Sequence, residues 1–147
     1  MSGFLLDTNI PSELMRTAPD RRVKDWVYGQ DTTSLYLSAV TIGELRKGFA
    51  ILPDGKRRSQ LEEWFERNLL PLFAGRILPL TQEVAAQWGQ LDARRHLNGR
   101  PLNTADGMIA ATALEHGLTL VTRNVKDFEG LGVSILNPWE PVSIPVR

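Results

Sequence analysis

The chain has no cysteine, so disulfides and thiolate metal sites are excluded. It has two histidines, His96 and His116, too few for a histidine-built zinc site. No apolar run is long enough to span a bilayer. The N-terminus lacks the basic-then-apolar layout of a signal peptide, so a cytoplasmic protein is expected. Charge of one sign is not in excess: Lys+Arg and Asp+Glu number 17 each. Nucleic-acid binding must therefore come from local clusters of cations, not from net charge. What remains is 147 residues, 42% hydrophobic and 23% charged, enough for one domain with a full core. No internal repeat or low-complexity segment interrupts it.

The stretch Phe4-Leu5-Leu6-Asp7-Thr8-Asn9 organises the rest. Three apolar residues running into an acid read as a short buried strand, with Asp7 at its carboxyl end. Open α/β sheets hold their ligands at that end. Val23, Trp26 and Val27 mark one face of a short helix, and Ser34 to Ser38 reads as a second strand. Thr41-Ile42-Gly43-Glu44 and Ser59-Gln60-Leu61-Glu62 both have the form of a capping box, which predicts helix starts at Thr41 and Ser59. Leu61, Trp64, Phe65, Leu69 and Leu72 give the second of these helices an apolar stripe, and Pro71 should end or kink it. Arg76 to Leu80 reads as a strand. A helix from Thr81 follows, with Val84, Ala85, Trp88 and Leu91 on one face. Thr104 is placed to cap a helix from Ala105 to about Glu115, with Gly117 after its end. Leu118 to Thr122 and Val133 to Leu136 read as strands, separated by a turn or short helix at Arg123 to Phe128. The Pro138-Trp139 tail is expected on the surface. Helices alternate with short strands, which predicts one α/β domain with a mostly parallel sheet.

In such a sheet, strand carboxyl ends and the starts of the following helices share one edge. Asp7, Glu44 and Asp106 all fall there. Two unit charges about 4 Å apart repel by about 4 kcal/mol at an effective dielectric of about 20. The usual relief is a hard divalent cation on carboxylate oxygens, a site suited to phosphodiester hydrolysis. Each acid also has a purely structural reading. Glu44 could serve only as the capping-box partner of Thr41, and Asp106 only as an acid at a helix N-terminus. Thr8 and Asn9 could be turn formers.

With these residues in place, the chain resembles the PIN-domain ribonucleases, specifically the VapC-like toxins of toxin–antitoxin pairs, and within them the FitB-like group. The motifs are Leu5-Leu6-Asp7-Thr8-Asn9, Leu37 to Gly48 around Glu44, Leu70 to Pro79, Thr104 to Ala113 around Asp106, and Thr122-Arg123-Asn124. Together and in this order they are highly specific, and they cover Phe4 to Trp139. The resemblance implies a single PIN domain over 1–147, with a three-layer α/β fold and a five-stranded, mostly parallel sheet flanked by helices. It implies Mg²⁺ or Mn²⁺ at Asp7, Glu44 and Asp106, and endonucleolytic cleavage of RNA. It implies a cognate antitoxin, a homodimer and a higher toxin–antitoxin assembly on promoter DNA. Thr8 and Asn9 would support Asp7, and Thr122 the metal site. One position departs from the pattern: Asn124 stands where the family carries an acid, and Asp127 is the next acid. If Arg123 to Phe128 forms a helical turn, positions 124 and 127 share a face, which would let Asp127 serve the metal through a water beside Asn124.

Among the cations flanking the motifs, Arg46 and Arg123 are the leading candidates for RNA contacts, ahead of Lys47, Arg100 and Lys126. Two other α/β classes with clustered acids fit worse. A receiver domain needs an acid pair after its first strand, and Asp7 has no acidic neighbour. A haloacid-dehalogenase-type phosphatase needs an Asp two residues after the first, where Asn9 stands. The alternative within the family is a non-catalytic PIN-fold regulator that binds nucleic acid with its antitoxin.

Overall fold

The computed structural model describes residues 2–141. Its elements, in chain order, begin with β1 (Phe4–Leu6), α1 (Asn9–Leu14), α2 (Arg21–Tyr28), β2 (Leu35–Ser38) and α3 (Ala39–Ala50). Then come α4 (Lys56–Trp64), a π-helical segment (Phe65–Leu69) and α5 (Leu70–Leu72), which run on as one rod. β3 (Ile77–Leu78), α6 (Gln82–Leu97), α7 (Thr104–His116), β4 (Thr119–Val121), α8 (Val125–Phe128) and β5 (Ile135–Leu136) complete it. The sheet has five strands in the order β3-β2-β1-β4-β5, and every neighbouring pair is parallel. No described helix is long and apolar enough to cross a membrane.

Side chains alternate across the strands and divide the core between two layers. Leu5 and Leu120 face one layer, with Val84, Leu91 and Ile109 of α6 and α7. Leu6 and Val121 face the other, with Ile10, Leu45, Phe49 and Phe65. With helices on both faces, the strands are apolar on both sides and short, which is why β1 reads as an unbroken apolar run.

Several local expectations are corrected. Helix α3 is capped by Ser38, whose hydroxyl accepts from the Val40 N–H, and Thr41 is a buried residue inside the first turn. The capping-box pairing of Thr41 with Glu44 is therefore absent; the end of β2 sets where the helix begins. Helix α4 starts at Lys56, so Ser59 lies within it and caps nothing. Asn103, not Thr104, caps α7, its Oδ1 accepting from the Asp106 N–H. Leu72 is exposed and Phe73 is buried in its stead. The Leu70 N–H reaches back five residues to the Phe65 carbonyl, and this wider turn moves the buried face onto the spacing Leu61, Phe65, Leu69, Phe73. Ala85 is exposed. Trp139 is buried at 9% exposure in the second layer, so the tail is part of the core and not a surface strap.

Candidate active site

The centre of the sheet delivers the first acid. Asp7 follows β1, pairs its backbone N–H with the Val121 carbonyl, and is 4% exposed. Its Oδ1 accepts from the Thr8 N–H at 2.8 Å. Its Oδ2 accepts from the Thr122 hydroxyl at 2.8 Å and from Asn9 Nδ2 at 3.4 Å. Thr122, fully buried just beyond β4, also accepts from the Asn124 N–H, which fixes its hydroxyl. Asn9 is not in a plain turn: it opens α1. Burial pushes the Asp7 carboxyl above the usual range; the hydrogen bonds from Thr122 and Thr8 oppose this, and the charges of Glu44 and Asp127 add to it.

Glu44 comes from the second turn of α3, after β2. Its Oε1 accepts from the Thr8 hydroxyl at 2.5 Å. Thr8 and Thr41 hydroxyls lie 3.1 Å apart. Thr8 has one proton and spends it on Glu44, so Thr41 donates to Thr8. Thr8 thereby grips both acids, Asp7 through its amide and Glu44 through its hydroxyl.

Asp106 stands in the first turn of α7, near enough to Asp7, Asp127 and Glu44 for their charges to act on it. Its carboxylate has no hydrogen-bond partner among the described residues. Its pKa is pushed up to about 6, by burial first and then by the charges of Asp7, Asp127 and Glu44. Asp127, in α8, is exposed and lines a cleft of about 460 Å³ together with Asp106. Asn124 lies outside the helical turn, at its cap, and its side chain makes no capping bond. Asp127 forms no ion pair with Arg123 or Lys126 among the described residues, so a local salt bridge does not explain it.

The four acids thus share one edge and repel one another. The side-chain charges acting on Asp7 and Asp106 are all negative. Nearby, Asn9 Oδ1 is buried with no donor among the described residues. An all-oxygen donor set with unrelieved negative charge fits a hard divalent cation. The acids are not drawn into a closed cage: among the described residues, no three acids or histidines are grouped tightly enough to enclose an ion.

The two leading candidates among the cations have protein partners. Arg46 ion-pairs with Glu66 and lies over the Phe65 ring, 4.5 Å from its centroid. Arg123 lies over Trp139 at 5.3 Å. Arg95 escaped the sequence reading, yet it is buried and lines the cleft. Its position four residues after Leu91, on the buried face of α6, was the available signal.

Comparison with known proteins agrees with this arrangement. The chain is 44% identical over 138 residues to the VapC ribonuclease Y4jK of Sinorhizobium fredii, covering 94% of this chain and 99% of that one. It is 45% identical over 136 residues to the toxin FitB of Neisseria gonorrhoeae, covering 92% and 98%. Among solved structures, a chain of FitAB bound to an IR36 DNA fragment superposes with a TM-score of 0.89 at 42% identity, covering 95% and 98%. The PIN domain pattern matches residues 4–132, a span that contains β1 to α8 and all four acids. The parallel sheet, the acids gathered at its edge and these matches place the chain in the PIN-domain family.

Proposed function

We propose that this protein is a metal-dependent endoribonuclease, the toxin of a type II toxin–antitoxin pair. The observation that carries this reading is the convergence of Asp7, Glu44, Asp106 and Asp127 on one sheet edge beside an open cleft, where the side-chain charges acting on Asp7 and Asp106 are all negative. Asp7, Glu44 and Asp106 are the proposed ligands of Mg²⁺ or Mn²⁺, and Asp127 acts through a water. When bound, the ion lowers the pKa of a water and neutralises charge on a phosphate. Thr122, Thr8 and Asn9 hold Asp7 in one orientation, the bonds from Thr122 and Thr8 opposing the rise that burial causes, and Thr8, itself held by Thr41, orients Glu44. Asn124 fixes Thr122 through its N–H and offers its amide beside Asp127. Water as the nucleophile leaves 5′-phosphate ends.

The relatives' names carry the biological setting. A ribonuclease toxin must be held off in its own cell, so a cognate antitoxin is the expected partner, with a basic side chain directed at the acids. A single PIN domain over 1–147, a homodimer and a larger assembly with the antitoxin on promoter DNA complete the proposal. The test is cleavage of RNA by the purified chain: lost in chelator, restored by Mg²⁺ or Mn²⁺, with 5′-phosphate products. Activity that survives exhaustive chelation, or 2′,3′-cyclic phosphate ends, would reject the mechanism. Expression alone should stop growth and co-expression with the antitoxin should not; harmless expression of an active enzyme would contradict the toxin role.

A further inference from the structure

The cleft beside the acids also has a basic side. Arg95, in the last turn of α6, is 8% exposed and lines the cleft with Arg100. The chain folds back after α6 so that the Arg100 N–H donates to the Arg95 carbonyl at 2.9 Å. Arg95 Nη2 donates to the Asp127 carbonyl at 2.7 Å and to the Glu129 carbonyl at 3.0 Å. Those two bonds use both hydrogens of one nitrogen. Among the described residues, Nε and Nη1 donate to nothing, and no carboxylate pairs with the guanidinium. Neither nitrogen is among the described buried polar atoms sealed without a partner, and Arg95 itself lines the cleft.

Burying a guanidinium without a countercharge is costly, because it stays ionised. Clamping two carbonyls is work that an ammonium group could do equally well. The unused donors of a planar fork match the oxygens of a phosphate. The cleft therefore has two poles, acids in need of positive charge and a guanidinium in need of negative charge. We propose that Arg95, with Arg100 at the rim, forms a phosphate subsite that seats the RNA backbone next to the acidic site. This rests on the ribonuclease reading above and adds to it the wall along which the RNA runs.

The test is binding, separated from cleavage. The Asp7→Asn protein, inactive in the proposed mechanism, is titrated with labelled single-stranded RNA in chelator across a salt series. Each phosphate contact contributes about 0.7 to the slope of log affinity against log salt. Arg95→Gln and Arg100→Gln should each weaken binding and lower that slope by about 0.7, by the same amount for RNAs of different sequence. Arg95→Lys should keep the slope and bind more weakly, since it retains the charge and loses the fork. Slopes equal to the parent's in both Gln variants overturn the subsite. Where Arg95→Gln melts below the assay temperature, Arg100→Gln, on an exposed residue, decides alone. Wild-type cleavage is read alongside: a protein that cleaves RNA while its variants keep the parent slope loses only the subsite. A folded wild type that neither binds nor cleaves RNA with Mg²⁺ or Mn²⁺ overturns both readings.

Discussion

The carboxylates at the sheet edge are held in two different ways. Asp7 and Glu44 are gripped, Asp7 by Thr8, Asn9 and Thr122 and Glu44 by Thr8. Asp106 and Asp127 line the cleft and have no hydrogen bond to their carboxylates among the described residues. Of the gripped pair, Asp7 follows β1 with its N–H on the Val121 carbonyl, and Glu44 sits in the second turn of α3, the helix that follows β2. The free pair sits on α7 and α8, in the segment nearest the cleft. A hydrogen bond to a carboxylate favours its charged form, so the Thr122 and Thr8 donors oppose the rise that burial imposes on Asp7. The free side has only water and whatever enters the cleft. The gripped side is therefore built to be ready, and the free side to respond to what binds.

The largest effect should come from the gripped side. Asp7→Asn removes the charge at the centre of the network and should lower cleavage by more than about 100-fold, beyond the usual cost of losing a mere supporting partner. Because burial is the main force against the Asp7 charge, melting in chelator should hold or rise. Unchanged cleavage in Mg²⁺ would remove Asp7 from the ligand set.

Thr122→Val keeps the shape and deletes the hydroxyl. It takes a donor from Asp7 and an acceptor from the Asn124 N–H at once. We expect about 10–100-fold less activity, as for a lost supporting partner, and about 1–3 kcal/mol less stability from buried groups left unpaired. The Asp7 carboxyl should also rise further, because the Thr122 bond is the larger of the two that lower it. A variant that matches wild type in both rate and melting would show that the grip is idle.

The free side should reveal itself through pH. Asp106 moves from an ordinary 3.8 to about 6 on folding, so the folded state binds its proton more tightly than the unfolded state. Its contribution to stability is fully present below about 3.8 and is lost as pH rises through about 6. In chelator, wild-type melting should therefore decline across that window, and Asp106→Asn should flatten the decline. Asp7, also raised, works in the same direction, so part of the slope should survive in the Asp106 variant. An identical pH profile in wild type and variant would sink the assignment.

This contrast also marks what could be read from residues alone. The gripped side was legible: an apolar triplet ending in Asp7 can hardly be anything but a buried strand leading to a sheet edge. The helix carrying Asp106 was legible too, from Gly117 at its end and its apolar face. The caps were not. Ser38 and Asn103 are somewhat better cap residues than Thr41 and Thr104, but all four are good ones, and where the preceding strand and loop end decides which is used. The π turn before Pro71 and the burial of Trp139 depend on partners distant in sequence. Arg95 is not legible because a cation near a helix C-terminus is normally solvated, and here the carbonyls of Asp127 in α8 and of Glu129 just after it draw it inward.

The smallest expected effect belongs to Asp127, and it tests whether the free side belongs to the site at all. Asp127 is exposed, yet its charge bears on both Asp7 and Asp106. Its N–H donates to the Asn124 carbonyl at 3.1 Å, which ties the two positions together although Asn124 itself is not helical. Asn124 supplies an amide where a carboxylate would add charge, so the site has three acids near Asp7 and none at position 124. If Asp127 serves through a water, Asp127→Asn should cut cleavage by about 10-fold, the low end for a supporting partner, and shift the Mg²⁺ titration to higher concentration. It should also bring the Asp106 midpoint down from about 6, because one of the charges that raises it is gone. Asn124→Asp should tighten metal affinity and partly restore the double variant, since it returns the missing charge from a neighbouring backbone position. The two readouts guard each other. A shifted Asp106 midpoint with normal cleavage would make Asp127 a bystander whose field merely reaches the site. Wild-type cleavage across the whole Mg²⁺ titration with an unmoved midpoint would assign Asp127 to the surface and leave Asp7, Glu44 and Asp106 to act alone.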